Sequence, residues 1–365
     1  MVSLGYNSKD QEFIILQAII GGGQSMQKIS LGFLVLSFFI ESLNASTIFP
    51  KQFDSLGPSV KKLLTANNRI IHYIDDGNSN DIPVVFVGGL GTSARAIRLL
   101  DFLRTMRQDL SIRIISIERN GFGQTEFNKN LTVSDYARDV EKVLNHLKIN
   151  KFSIFGISGG GPYAARIAAK NGQRVASLHM AATPANIGSK TLCEDTDENH
   201  KYASLLAYPM QFFGFPESSP IHKLEGFQDT AYDEAARAHN VRGQSADPAP
   251  LNHEISLFCN DGITDTSLLE TDVYVYRGEA DGLLVHESEL TWQKSYPAAN
   301  VTIRSYPGEG HDVQYRHLDQ ILLDIAGKGP EVLICNKGSH EMITPSKVPQ
   351  LILNGASLGL CHWKN

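Results

Sequence analysis

Ser158 lies in a stretch of sequence whose residue types and spacing are typical of a catalytic nucleophile. It is the centre of Gly156-Ile157-Ser158-Gly159-Gly160, a G-x-S-x-G pattern that follows an apolar run and precedes an alanine-rich segment. The pattern predicts a buried strand, a sharp turn and a helix. The glycines are expected because the strained turn leaves no room for larger side chains. The alternative is an ordinary glycine-rich turn that happens to contain a serine.

A serine hydroxyl is a poor nucleophile, so this chemistry also needs a general base and a group that orients it. His311 is the preferred base because it follows a predicted strand and a glycine-rich loop, which would carry it to the same sheet edge as Ser158. Asp281 ends Gly278-Glu279-Ala280-Asp281, directly after another predicted strand. Asp281 could instead cap a helix starting near Val285. Asp312 is adjacent to His311 and is not expected to orient it.

The elements that would position these side chains alternate along the chain. Apolar runs predict strands at 68–74, 83–87, 113–117, 152–157, 175–180, 272–277 and 301–306. Helical spacing is found over 94–107, 132–147 and 313–325, the second opened by a capping pattern at Thr132. Such alternation predicts an α/β fold with a mostly parallel twisted sheet flanked by helices.

Five segments, taken in order, resemble the motifs of the α/β-hydrolase family. They are Gly88-Gly89-Leu90-Gly91, Glu118-Arg119-Asn120-Gly121-Phe122-Gly123, the Ser158 pentapeptide, Gly278-Glu279-Ala280-Asp281 and Gly308-Glu309-Gly310-His311. The resemblance spans about residues 68–327. Gly88 replaces the family's usual His and Asn120 a common Pro, and the first departure leaves open how the oxyanion loop is braced.

The resemblance implies a catalytic triad of Ser158, His311 and Asp281, with the backbone N–H groups of Leu90 and Gly159 as the oxyanion hole. It implies a carboxylesterase-like or lipase-like enzyme that needs no metal or cofactor and cleaves a small apolar ester or related acyl bond. Epoxide opening and dehalogenation are disfavoured, since the family uses Asp for them where this chain has Ser158. The alternative is a ligand receptor of the same fold with little or no turnover.

The resemblance also divides the chain into regions. The expected hydrolase core covers 50–182 and 268–327, and a helical cap is expected over 183–267. The cap segment holds an apolar stretch, 202–215, that either lines a substrate pocket or packs the cap onto the core. Residues 328–365 lie beyond the resemblance and are expected to form a small appendage.

Residues 26–45 have the basic start, short apolar core and small final residue of a secretory signal peptide, which makes Met26 the expected start. The apolar run is too short for a comfortable membrane span, although an uncleaved membrane anchor is the alternative. The protein is therefore expected to be secreted or periplasmic. Pairing of Cys193 with Cys259 and of Cys335 with Cys361 would suit such a compartment, but three connectivities remain open. The net charge of −6 makes nucleic acid an unexpected partner.

Overall fold

A computed structural model describes residues 57–186, 247–284 and 288–361. All of them belong to one unit, Ile48–Asn365. The predicted signal segment, 26–45, and most of the predicted cap, 187–246, lie outside the described residues. No helix of the described ranges is long and apolar enough to cross a membrane.

Eight strands form the main sheet. In chain order they are β1 (Lys61–Leu64), β2 (Ile70–Asp76), β3 (Ile82–Val87), β4 (Ile112–Ile117), β5 (Phe152–Ile157), β6 (Val175–Ala181), β7 (Asp272–Gly278) and β8 (Val301–Tyr306). Their spatial order is β1-β2-β4-β3-β5-β6-β7-β8. The two pairs that involve β2 are antiparallel and the other pairs are parallel. The mostly parallel sheet predicted from the sequence is confirmed.

The central strands are apolar throughout because both faces of the sheet are covered. Along β3, Val84 and Phe86 belong to the core on one face, whereas Val85 and Val87 belong to the core on the other. This alternation follows from the two-residue period of a strand. The sheet is therefore held between two apolar layers, and only the ends of its strands can carry polar chemistry.

Eight α-helices are described. They are α1 (Arg104–Asp109), α2 (Val133–His146), α3 (Gly161–Asn171), α4 (Ala249–Asn260), α5 (Glu289–Ser295), α6 (Val313–Arg316), α7 (Leu318–Ile325) and α8 (Val348–Leu353). Helix α2 begins with the predicted capping arrangement, in which Thr132 and Asp135 bond reciprocally. Helix α4 falls within the segment expected to form the cap.

Two predicted helices differ from the structure. The segment expected to be one helix over 94–107 is a 3₁₀-helix over Ala94–Leu103, followed by α1. Its apolar residues Ile97, Leu100 and Leu103 recur every three positions, which matches the three residues per turn of a 3₁₀-helix. The closing helix expected over 313–325 is interrupted at buried His317, whose backbone leaves the helical region between α6 and α7.

The C-terminal residues form a second, three-stranded antiparallel sheet. Its strands are β9 (Val332–Asn336), β10 (Ser339–Ile343) and β11 (Ser357–Leu358), in the spatial order β10-β9-β11. Leu333 and Leu360 join the apolar core that also packs on the main sheet. A disulfide joins Cys335 to Cys361, as predicted. Cys259 is also disulfide-bonded, while its predicted partner, Cys193, lies outside the described residues.

Candidate active site

Ser158 lies at the carboxyl end of β5 in a strained backbone conformation. Its φ is +50°, a left-handed value that is uncommon for a residue with a side chain. A short 3₁₀ turn, Ser158–Gly160, then leads into α3. A Cβ on Gly156 would lie 2.9 Å from the Ala164 Cβ. Any residue larger than glycine at position 156 would therefore displace the helix that carries Ala164. The predicted strand, tight turn and helix are all present.

The structure brings Asp281 and His311 to Ser158. The His311 Nε2 lies 2.9 Å from the Ser158 Oγ, and its Nδ1 lies 2.8 Å from the Asp281 Oδ2. The other carboxylate oxygen of Asp281 accepts a bond of 2.9 Å from the Leu283 N–H. The Asp281 side chain is 4% exposed and that of His311 30% exposed, so the chain of bonds runs from a buried acid to a more open imidazole.

The loops that carry the acid and the imidazole are packed against each other. A Cβ on Gly278 would lie 2.3 Å from the carbonyl oxygen of Glu309, so only glycine permits this approach. The Ala280 N–H donates to the same oxygen at 2.9 Å. Arg316 lies 3.2 Å from the Glu309 carboxylate. Burial acts to raise the pKa of Glu309, but His317 and Arg316 lower it below its ordinary value. The Glu309 carboxylate therefore stays ionised and paired with Arg316.

The loop that follows β3 crosses beside Ser158. A Cβ on Gly89 would lie 3.3 Å from the Ser158 Cβ, and one on Gly159 would lie 2.2 Å from the Leu90 Cγ. The two residues predicted to form an oxyanion hole, Leu90 and Gly159, are therefore neighbours next to the serine. A Cβ on Gly88 would lie 2.4 Å from the Thr92 Oγ1. Thr92 thus occupies the space that a larger residue at position 88 would need.

Two buried side chains to which the sequence analysis assigned no role hold this loop. Arg119 donates to the carbonyl oxygen of Gly88 at 2.6 Å, to that of Gly89, and to that of Thr92 at 3.1 Å. Glu254 accepts from the Gly91 N–H at 2.5 Å. Arg119 stood in a motif already noted, whereas Glu254 stands amid the apolar residues of α4. A carboxylate in that setting was the signal that could have identified it.

Burial alters the acidity of two carboxyls behind the loop. Burial raises the pKa of Glu254, although Arg119, the Gly91 N–H and the Tyr163 hydroxyl oppose the change. Burial also raises the pKa of Glu118 to about 7, against the opposing influence of the Ala94 N–H and nearby arginines. Neither carboxyl bonds to Ser158 or His311 among the contacts found, so both belong to the support of the site.

The described residues contain no group of three His, Cys, Asp or Glu side chains placed to hold a metal ion. What the arrangement can do chemically is proton transfer from a hydroxyl to an imidazole that is oriented by a carboxylate. Backbone N–H groups beside the hydroxyl can stabilise negative charge that develops there.

A family model described as alpha/beta hydrolase fold matches residues 82–318. No curated protein matches the chain. Among solved structures, one from a study of carboxylesterases of the thaumarchaeon Nitrososphaera gargenis is 18% identical with a TM-score of 0.57, over 73% of this chain and 99% of that one. A hydrolase from Pseudomonas aeruginosa is 17% identical with a TM-score of 0.55, over 74% and 99%. A thermophilic esterase from Thermogutta terrifontis is 19% identical with a TM-score of 0.52, over 74% and 97%.

Proposed function

The chain belongs to the alpha/beta hydrolase family, and from that premise we propose that it is a serine hydrolase of carboxylic esters or related acyl bonds. The observation that carries the proposal is the pair of hydrogen bonds joining the Ser158 hydroxyl to His311 and His311 to Asp281. A pure binding protein has no need for all three groups in this arrangement.

In the proposed reaction the Ser158 oxygen attacks the carbonyl carbon while His311 takes the hydroxyl proton as general base. Asp281 holds the imidazole in the tautomer whose Nε2 faces Ser158 and stabilises the imidazolium that forms. His311 then gives the proton to the leaving alcohol, and Ser158 is left acylated. Water, deprotonated by His311, attacks the acyl carbon. His311 then gives that proton to the Ser158 oxygen as the carboxylic acid is released, which restores the free enzyme.

The proposed oxyanion hole consists of the Leu90 and Gly159 N–H groups. Its support is the placement of Leu90 against Gly159 and of Gly89 against Ser158. Loss of one such donor typically lowers kcat by about 10²–10³-fold. Negative charge develops on the carbonyl oxygen only as the serine oxygen adds to the carbonyl carbon. The oxyanion hole therefore contributes to kcat more than to substrate binding.

The proposed substrate is a small apolar ester. Support comes from the apolar cluster around the oxyanion loop, in which Leu90 and Phe122 pack with Leu251, Ile255 and Phe258 of α4. The apolar stretch 202–215 supports the same choice from sequence, but it lies outside the described residues. Ser158 in the place of an Asp favours acyl chemistry over epoxide opening, although two structural neighbours come from work on epoxide hydrolases.

We also propose that the protein is secreted or periplasmic, with membrane anchoring by the N-terminal segment as the alternative. The support is the pattern of 26–45 and the disulfide bonding of Cys335, Cys361 and Cys259, since such bonds persist in oxidising compartments. Amino-terminal sequencing of protein recovered from the medium or periplasm tests this. A chain that keeps residues 26–45 and sediments with membranes would support the anchor instead.

The experiment that tests the enzyme uses Ser158→Ala, Asp281→Asn and, as a matched control, Ser305→Ala, which alters an exposed serine of β8. Each protein is treated with a fluorophosphonate and assayed on nitrophenyl esters from acetate to long acyl chains. We expect Ser158→Ala to lose labelling and about 10⁶-fold in kcat. Asp281→Asn should lose about 10⁴-fold, because the wrong imidazole tautomer is favoured.

Ser305→Ala should behave as the unaltered protein does. If the folded, unaltered protein is not labelled and hydrolyses no ester of the series, the hypothesis of an enzyme is contradicted. The hypothesis of a ligand receptor of the same fold then remains. The acyl chain length with the highest kcat/KM measures the size of the substrate site.

A further inference from the structure

The segment 88–91 of the loop proposed to supply an oxyanion donor has little intrinsic preference for one shape. Three of its residues, Gly88, Gly89 and Gly91, are glycines, which have the most conformational freedom to lose on ordering. The fourth, Leu90, is apolar and contributes only packing. Thr92 bonds to the Gly89 carbonyl oxygen through its Oγ1 at 2.6 Å and its N–H at 3.3 Å. The other polar contacts that fix the Leu90 N–H relative to Ser158 come from groups outside the loop.

Arg119 binds the loop from its carbonyl side. Its guanidinium, 4% exposed, donates to the Gly88, Gly89 and Thr92 carbonyl oxygens and also to the Thr92 Oγ1 at 3.0 Å. A planar guanidinium presents its donors at fixed angles, so several carbonyls held together are fixed relative to one another. The orientation of Arg119 then decides the orientation of the loop.

Glu254 sets that orientation. Its carboxylate is 3% exposed, lies 2.6 Å from the Arg119 Nε and accepts from the Gly91 N–H at 2.5 Å. Tyr163, near the start of the helix that follows Ser158, also lowers the pKa of this carboxyl. One buried carboxylate thus joins the amide side of the oxyanion loop, the arginine on its carbonyl side and the helix of the nucleophile.

The surroundings of Glu254 are closely packed and largely apolar. It lies on α4, whose apolar residues Leu251, Ile255 and Phe258 pack with Leu90 itself. The Arg119 guanidinium is also 5.2 Å from the centre of the Tyr163 ring. A small displacement of this carboxylate would therefore move the loop and the nucleophile helix relative to each other.

We propose that Glu254 is a positioning residue that, through Gly91 and Arg119, holds the Leu90 N–H where the oxyanion forms. This inference rests on the proposed function. It also answers how the loop is braced without a histidine at position 88: Thr92 fills that space, and Arg119 and Glu254 supply the bonds.

Glu254 differs from a buried ion pair that only stabilises the fold, and the chain contains such a pair for comparison. Asp324 of α7 binds Arg304 of β8 through two bonds of 2.7 Å, and it also accepts from Tyr276 and Gln320 at 2.8 Å each. Within the described part of the chain, none of these four residues bonds to the loop or to Ser158, His311 or Asp281. Asp324→Asn is therefore the matched control for Glu254→Gln.

The first measurement is steady-state kinetics on a short nitrophenyl ester. We expect Glu254→Gln to lower kcat by about 10²-fold, since a displacement of about 1 Å at a site of this kind costs that much, with KM changed by less than threefold. Affinity for a trifluoromethyl ketone, which forms a tetrahedral oxyanion with Ser158, should fall by the same factor. Asp324→Asn should lower the unfolding midpoint but leave kcat and inhibitor affinity unchanged.

The second measurement needs no activity. Hydrogen exchange of the backbone amides in the loop 88–92 should be faster in Glu254→Gln than in the unaltered protein and unchanged in Asp324→Asn. Glu254→Asp, which keeps the charge, should recover part of the lost protection and part of the lost kcat.

The outcomes separate the two hypotheses. If the unaltered protein hydrolyses esters and both variants lose kcat in proportion to their loss of folded protein, Glu254 only stabilises the fold and the inference is overturned. If the unaltered protein hydrolyses nothing, the proposed function fails, and the exchange of the loop alone decides whether Glu254 positions it. Equal exchange in both variants would overturn the inference in that case too.

Discussion

Glu118 shows how a single buried side chain links the sheet to the loops above it. It follows β4, is 5% exposed and accepts a bond of 2.8 Å from the Ala94 N–H at the start of the 3₁₀-helix. A Cβ on Gly123 would lie 2.1 Å from the Glu118 Oε2, so the carboxyl is enclosed on the other side as well. Burial favours the neutral form of this carboxyl.

The raised pKa of Glu118 predicts a specific dependence of stability on pH. Its pKa is about 7 in the folded protein against an ordinary 4.5, so between these values the native state binds more protons than the unfolded chain. The free energy of unfolding should therefore fall as pH rises through this window, by about 3 kcal/mol from this group. Glu118→Gln cannot ionise and should lack that part of the fall, while keeping an acceptor for Ala94.

The measurement is urea unfolding of the unaltered protein and of Glu118→Gln between pH 4.5 and 8. We expect the unfolding free energy of Glu118→Gln to increase relative to that of the unaltered protein as pH rises across this range. The difference should level off above pH 7.5. Glu126→Gln, which changes an exposed carboxylate on the same loop, is the control and should show no such trend. A constant difference between Glu118→Gln and the unaltered protein would contradict the prediction.

At the scale of elements, the contact between the nucleophile turn and the end of β3 leaves no room for a side chain. Gly160 has ordinary helical angles, with φ at −73° and ψ at −16°, so its backbone suits any residue. A Cβ there would nevertheless lie 2.4 Å from the Val87 carbonyl oxygen and 2.5 Å from that of Gly88. The requirement for glycine is one of space and not of conformation.

Gly160→Ala should therefore push the oxyanion loop away from the turn. We expect a loss of about 1–3 kcal/mol in unfolding free energy from overpacking and at least a 10²-fold fall in kcat. Gly172→Ala, at the end of the same helix, is the matched control because no atom lies nearer than 3.9 Å to its added Cβ. It should be neutral or stabilising. Equal kcat in the two variants would show that the loop does not depend on this contact.

Elements whose signal is local were predictable from the sequence. Strand β8 has its predicted bounds and β2 is displaced by two residues. The glycines around Ser158 predicted its turn, and the positions of Asp281 and His311 just after predicted strands indicated the same sheet edge as Ser158. By contrast, the Gly91–Glu254 bond joins positions 163 residues apart. Nothing near either residue specifies such a partner, which depends on how α4 packs against the loop that follows β3.

At the scale of the whole molecule, the C-terminal sheet is joined to the main core by both apolar and polar contacts. Asp319 of α7, fully buried, accepts from the Leu360 N–H at 2.7 Å. Gln320 accepts from the Leu333 N–H at the same distance. The disulfide between Cys335 and Cys361 closes a loop with a sequence separation of 26. The C-terminal residues therefore add to the stability of the core on which they pack.

The double variant Cys335→Ala/Cys361→Ala should lower the free energy of unfolding by about 3 kcal/mol, because the unfolded chain regains the freedom that a closed loop removes. Its kcat should stay within twofold of the unaltered value, since the triad lies on loops of the main sheet. Urea unfolding measures the change in the free energy of unfolding. It is done without reductant, so that the disulfide of Cys259 stays intact. An unchanged urea midpoint would show that the disulfide adds nothing to stability.

The strand order has a consequence for the timing of assembly. Strands β7 and β8 extend the sheet outward from β6, one after the other, and they carry Asp281 and His311 on the loops that follow them. Ser158 is synthesised 153 residues before His311, an interval of about 8 to 30 s at ordinary translation rates. A growing chain can thus form the nucleophile turn early but cannot complete the site. On the proposed function, a growing chain therefore lacks hydrolase activity until His311 has been synthesised.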